Sequence, residues 1–449
     1  MRPTDSRLSY SQSQLADLSR RVLEHARALG ATHAETEISE GVGQNVSVRL
    51  GEVETLEYNR DKGMGVTVYL GQKKGHAASS DLSDDALRDT VAAALAIAGH
   101  TASDPDAGLA DPALQATSFP DLDLCHPWAL SVDDAIELAR ETEAAARAVD
   151  ARINNSEGGS VSSHLSQFVY ANSQGFCQGY ASTRHSLSAA VVASDGESMQ
   201  RDYWYSSARH PEDLLPATEV GRMAGERTVR RLGGRQAPTG VFPVLFDPMM
   251  AAGLIDHFVS AASGGALYRK ASFLVDTAGT QVFNPVITLE EDPFILRGMA
   301  SGAFDNEGVA TRARTVVEQG VLTGYFLSSY SARKLGLAST GNAGGSHNLT
   351  LASTGQSFDE LVRMVGCGLL VTELLGHGVN TVTGDYSRGA AGFWIENGEI
   401  AYPVEEITIA ANLKDLYRGM IAVGTDRQIR GGKRTGSVLV ERMTIAGQS

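Results

Sequence analysis

The sequence has little of what would make a secreted, membrane-spanning or disulfide-built protein. Its three cysteines, Cys125, Cys177 and Cys367, are odd in number and far apart, which argues against a disulfide framework, and no CxxC pair occurs. No run of about 18 apolar residues is present, so nothing reads as a membrane span. The polar stretch Met1–Ser13 lacks the apolar core of a signal peptide, and a cytoplasmic location is expected by elimination. Basic side chains are outnumbered: 38 Lys and Arg stand against 53 Asp and Glu, for a net charge of −15 and a pI near 5.2. Such a chain is repelled by phosphate backbones. The longest basic cluster, Arg427, Arg430, Lys433 and Arg434 beside Gly431 and Gly432, reads as a solvated loop, so no nucleic-acid partner is expected. Catalytic signatures are also missing. Neither HExxH, HExxxH nor GxSxG occurs, and Gly341-Asn342-Ala343-Gly344-Gly345-Ser346 lacks the lysine of a phosphate-binding loop.

What is present is a long, glycine-rich chain of 449 residues, 42% hydrophobic, with 48 glycines scattered rather than periodic. Leu15, Leu18, Val22, Leu23 and Ala26 predict a helix over Ser11–Leu29, stopped by Gly30. Alternation then predicts short strands at Ala34–Ser39, Asn45–Leu50, Val53–Tyr58, Gly65–Leu70 and Gly75–Ser80, with a hairpin turn at Gly51-Glu52. Ser83–His100 reads as a second helix. Ser131–Asp150 reads as a third, opened by a Ser131-x-x-Asp134 capping box. Strand patterns return at Ser160–Tyr170, Gly175–Ser182, Ser186–Ser194 and Met199–Ser206, before a helix over Pro211–Leu232. The second half is dense in glycine and short strands, which suggests a curled, barrel-like sheet. The expected fold is α+β: an N-terminal α/β region over 1–124, a strand-rich region with long helices over 125–235 packed with it, and a β-rich C-terminal domain over 236–449.

Several residue groups could carry chemistry. Asp256-His257 sits on a helix predicted over Pro248–Ala262, where a carboxylate could orient an imidazole base. Glu373 and His377 would share a face if their segment were helical, although its pattern is strand-like. The turns Phe304–Gly308, with Asp305 and Glu307, and Gly384–Gly389, with Asp385, could supply acid–base carboxylates or serve as local turn-formers. Chemistry alone identifies no active site.

Longer segments are more specific: Glu52–Gly63, Met199–Trp204, Gly378–Gly389 continuing through Gly392–Gly398, Tyr402–Ala410 and Gly436–Leu439. In order and at this length the chain resembles the TldD/PmbA family, and its PmbA (TldE) branch in particular. The resemblance implies an α/β N-terminal half and a barrel-like C-terminal half. It also implies a role as one subunit of a two-chain zinc peptidase acting on unfolded or modified peptides, in a family also labelled modulator of DNA gyrase. In the zinc-bearing TldD subunit a helix carries HExxxH, with a further cysteine ligand later. Here Arg269-Lys270 resembles the pair that follows that helix. Counting back places the histidine positions on Asp256 and Ala261 and the glutamate position on His257, and no cysteine follows Cys367. The resemblance thus implies a non-catalytic chain with no metal or cofactor of its own. Zinc is expected in a HExxxH partner, an extended peptide is the expected substrate, and the isolated chain is expected to form a homodimer. Two alternatives stand beside it: a metal-independent hydrolase using Asp256 and His257 or Asp385, and a binding protein that modulates gyrase.

Overall fold

The apolar period of the first segment becomes a helix where the pattern places it. In the computed structural model, which describes residues 8–196 and 198–447, helix α1 (Gln12–Ala28) opens on a full capping box between Ser11 and Gln14. Leu15, Leu18, Val22 and Ala26 form its buried stripe, and Gly30, at φ 95°, follows its end. Strands β1 (His33–Arg49) and β2 (Glu52–Leu70) are each continuous where alternation predicted separate pieces. The apparent break at Gly41-Val42-Gly43 is no turn: a Cβ on Gly43 would stand 2.2 Å from Nδ1 of His164 on the neighbouring strand. Leu50 and Gly51, both at positive φ, make the tight turn between β1 and β2. Both of their N–H groups donate to the buried carboxylate of Glu143, at 2.7 and 2.9 Å.

Strand β3 (Lys73–Ser79) leads to helix α2 (Asp84–His100), capped by Ser83. Helix α3 (Val132–Arg147) is capped by Ser131, but only the forward half of the predicted box forms, because Asp134 bonds the Ser131 hydroxyl. Strands β4 (Asn155–Asn172), β5 (Cys177–Ser194) and β6 (Met199–Ala208) follow. The helix predicted over 211–232 is a 3-10 turn at Pro211–Asp213 and then α4 (Ala217–Arg230), which starts after Pro216. The six strands pair antiparallel in the order β3-β2-β1-β4-β5-β6. One face is covered by α1 and α2 at one end and by α3 and α4 at the other. The opposite face carries the alternate residues, among them Glu35, Glu37, Ser39, Ser162, His164 and Ser166.

The C-terminal half contains β7 (Gly240–Phe246), α5 (Pro248–Ala261), α6 (Gly264–Tyr268), β8 (Leu289–Asp292), β9 (Arg314–Glu318), β10 (Val321–Leu322), α7 (Ser329–Leu335), β11 (Asn348–Leu351) and α8 (Phe358–Val365). It continues through β12 (Gly368–Leu375), β13 (Asp385–Glu396), β14 (Glu399–Asn412), α9 (Leu413–Arg418), β15 (Met420–Val423), β16 (Gln428–Arg430), β17 (Lys433–Thr435) and β18 (Val438–Ala446). The barrel-like expectation holds. Strands β14-β13-β12-β7-β18 pair in sequence, and β14 pairs with β18 to close the ring. Side chains on one face of these strands, including Val244, Phe246, Leu369 and Trp394, join α5 and Tyr417 in the largest core. Leu245, Leu370, Phe393 and Leu439 on the other face pack under α8. Strand β15 pairs with β18, and the other strands form a sheet of shorter strands, β10-β9-β8-β11-β17-β16.

Candidate functional site

Helix α5 is the segment onto which the resemblance maps the zinc motif. Asp247 follows β7 and caps the helix by accepting the Met250 N–H at 2.9 Å, and Pro248 fills the first turn, where no N–H is needed. Ala251, Leu254, Ile255, Phe258 and Ala261 bury one face, and the Tyr417 hydroxyl donates to the Leu254 carbonyl at 3.0 Å.

The three motif positions point in different directions. Asp256 lies on the half-exposed side and forms an ion pair with Nζ of Lys433 on β17 at 2.5 Å. His257, about 100° further round the helix, meets Tyr386 edge-to-face with ring centroids 6.0 Å apart. Burial holds its pKa below the usual histidine range, the Arg388 charge lowers it further, and Asp256 opposes both. The two side chains therefore do not form an orienting acid–imidazole pair. Ala261 is fully buried, and its carbonyl accepts from the Ser272 hydroxyl at 2.6 Å. A catalytic zinc site needs about three protein ligands and an open position. Here one position is a methyl group in the core, one carboxylate is committed to a lysine, and the imidazole packs on Tyr386 within the field of the Arg388 charge. These residues do not fit a zinc ion. Arg269 and Lys270 lie beyond α6, and the Arg269 guanidinium donates to the Tyr268 hydroxyl at 3.1 Å.

The other sequence candidates occupy structural positions. Asp385, at the start of β13, accepts from the Thr383 hydroxyl at 2.6 Å and from Asn412 Nδ2 at 3.3 Å, as a turn-former does. Glu373 lies on β12, not on a helix, and pairs with Arg231, while His377 sits in an exposed loop. Asp305 is buried and accepts the N–H groups of Glu307, Val309 and Ala343 at 2.9, 3.0 and 2.9 Å. Burial nevertheless pushes its pKa up to about 6. The Gly341–Ser346 loop is thus pinned to this turn through Ala343, and Asn342 also donates to buried Glu291 at 2.8 Å.

Two constellations went unread in the sequence. Asp202 on β6, Arg227 on α4 and Arg231 at its C-cap, Asp247 and Glu373 form a largely buried charge network where the first sheet meets the barrel. It borders a cavity of about 180 Å³. Burial raises the Asp247 carboxyl to about 6, against the nearby Arg227 charge and the Met250 N–H. The only sequence signal was the four-residue spacing of Arg227 and Arg231, which puts both on one helix face. A second, open cleft of about 520 Å³ lies between the helix-free face of the first sheet and the loop at Asn306-Glu307. Glu35 on its wall accepts the hydroxyls of Tyr69 and Tyr170 at 2.9 and 2.8 Å, and burial raises its pKa.

Comparison with known proteins places the whole arrangement. Residues 34–98, 125–232 and 239–447 match, in turn, domain 1, the central domain and the C-terminal domain of the PmbA/TldA metallopeptidases. The chain is 51% identical to Metalloprotease PmbA of Escherichia coli O157:H7 over 415 residues, 92% of each chain. Among solved structures it superposes on a protein from Bacteroides thetaiotaomicron named as a modulator of DNA gyrase. The TM-score is 0.91 at 29% identity, covering 96% of this chain and 98% of that one. TldE from Thermococcus kodakarensis shares the fold, with a TM-score of 0.84 at 20% identity over 96% of this chain and 100% of that one. The chain therefore belongs to the PmbA/TldD family of metallopeptidase-related proteins.

Proposed function

We propose that this chain is the zinc-free subunit of a two-chain peptidase, pairing with a HExxxH-bearing TldD-type relative and acting with it in the cytoplasm on unfolded or modified peptides. The observation that carries this reading is α5. The helix and its packing are intact, but the three motif positions hold Asp256 bound to Lys433, His257 beside Arg388, and Ala261 sealed in the core. A helix kept in place without its ligands suits a scaffold that completes a shared peptide chamber better than a second catalytic centre. The separate directions of Asp256 and His257, and the turn-forming bonds of Asp385, weigh against a metal-independent hydrolase built on those groups.

The test is metal analysis of the purified chain, with hydrolysis of an unfolded peptide by the chain alone, by a HExxxH relative alone and by the two together. The reading expects no stoichiometric zinc and no cleavage from this chain, and co-purification with the relative. Zinc-dependent cleavage by this chain alone would overturn it. Cleavage that survives EDTA and is lost in Asp256→Ala or Asp385→Ala would establish the hydrolase instead.

A further inference from the structure

The cavity of about 180 Å³ beside the buried charge network is lined by donors and acceptors that do not satisfy one another. Arg227 reaches three acceptors: Asp202 at 3.4 Å, Asp247 at 3.6 Å and the Thr372 carbonyl at 3.4 Å. None is a short charge-assisted bond of about 2.7–2.9 Å. The Arg227 Nε is buried and has no hydrogen-bond partner among the described residues. Arg230, more exposed, also lines the cavity. Its guanidinium lies over the Phe393 ring, 4.8 Å from the centroid, and forms no ion pair among the described residues. Thr372 is the extra residue of a bulge in β12, and its buried hydroxyl has no hydrogen-bond partner among the described residues.

The acceptors are equally unspent. Asp202 and Asp247 are buried, and each commits one oxygen: Oδ1 of Asp202 accepts the Tyr203 N–H at 2.7 Å, and Oδ1 of Asp247 accepts the Met250 N–H at 2.9 Å. Their Oδ2 atoms meet only arginines, at 3.4 to 3.6 Å. Asp426 also lines the cavity, but the Ser437 N–H and hydroxyl occupy its carboxylate at 2.9 and 2.6 Å. Buried charges without close partners are costly. An anion would satisfy the arginines and lie against the aspartates, and a cation would do the reverse. A ligand with both charges satisfies both sets. The remaining wall is apolar, made by Phe358, Leu370 and Phe393. The volume is somewhat above the ~150 Å³ that holds a benzene ring, which suits one residue and not a peptide.

We propose that this cavity binds a free apolar α-amino acid of leucine or phenylalanine size. Its carboxylate bridges Arg227 and Arg230 and accepts from the Thr372 hydroxyl. Its ammonium donates to Oδ2 of Asp202 and of Asp247, and its side chain packs on Phe358, Leu370 and Phe393. The inference goes beyond the metallopeptidase reading and does not rest on it.

Calorimetric titration of the purified full-length chain with L-leucine and L-phenylalanine tests it. Both bind saturably, one per chain. N-acetyl-leucine keeps only the carboxylate and leucine amide keeps only the ammonium, and each binds about tenfold more weakly or worse. Free aspartate and lysine, whose side chains bring a charge to the apolar wall, do not bind. Arg230→Met keeps the aliphatic stem and leaves the melting temperature unchanged, because Arg230 holds no carboxylate, but it weakens leucine binding about tenfold. No saturable binding of either apolar amino acid would overturn the proposal. So would leucine binding unaltered in Arg230→Met. Analogues with one charge that bind as well as leucine would assign the cavity to a peptide terminus or a simple ion instead.

Discussion

Replacing Asp247 by asparagine separates the two demands placed on this residue. As the cap of α5 it must accept the Met250 N–H, and as a buried carboxylate it must sit inside the charge network with Arg227. Asparagine caps as well as aspartate does but cannot ionise. In the folded chain the carboxyl takes up its proton near pH 6, against 3.8 for the ordinary side chain. Within that window the native state holds more protons than the unfolded state, so stability falls as pH rises. The whole step is about 3 kcal/mol. The variant escapes this fall. It should match wild type near the lower end of the window and exceed it by about 3 kcal/mol at neutral pH, while Arg227 keeps Asp202 as its partner. Urea unfolding followed by tryptophan fluorescence at several pH values measures the difference directly. Because Asp305 and Glu35 titrate in both proteins, only the difference between them is diagnostic. A difference that is flat with pH, or a variant less stable than wild type at neutral pH, would refute the assignment of burial as the dominant influence on Asp247.

Glu143→Ala removes the acceptor of both hairpin N–H groups and should cost about 2–3 kcal/mol, with amide exchange accelerating at Leu50 and Gly51 before it does elsewhere. Gly75→Ala places a Cβ 2.0 Å from the Ala94 carbonyl on α2, so helix and strand must part; a loss of about 1–3 kcal/mol is expected in thermal melts. The combined variant Asp256→His, His257→Glu and Ala261→His writes the zinc motif onto α5. It should melt earlier than wild type and bind no stoichiometric zinc by metal analysis, because position 261 lies inside the core.

How much of this was readable in the sequence depended on how local the cause was. Helices α1 and α2 were legible because an apolar stripe and a serine cap are both local signals. The length of β1 was not: Gly41 and Gly43 look like turn residues, and the role of Gly43 becomes visible only when His164 arrives from a strand far along the chain. The middle of β5 was lost in the same way, because the inward-facing residues there are polar: Thr183, and His185 bonded to Ser163 at 3.0 Å. Pro216 was a visible stop inside a helix drawn too long. At the candidate site, adjacency misled. Asp256 and His257 are neighbours in sequence and diverge on the helix, whereas Asp202 on β6, Arg227 and Arg231 at the end of α4, Asp247 before α5 and Glu373 on β12 are far apart in sequence and converge.

The closed ring of strands also sets an order of events during synthesis. Phe246 on β7 pairs with Val371 on one side and with Val438 on the other, and Thr408 on β14 waits for Ala446. The first sheet needs nothing beyond β6 to complete its pairing, so it can form while the second half is still on the ribosome. The barrel cannot: β7 finds its first neighbour only when β12 is made and its second only with β18, the last strand of the ring. Until β18 emerges, β7 and β14 are two open edges on a nascent chain. That interval is when a chaperone would find the most to hold, and a ribosome stalled before Val438 would release a chain with a finished first half and an unsealed second.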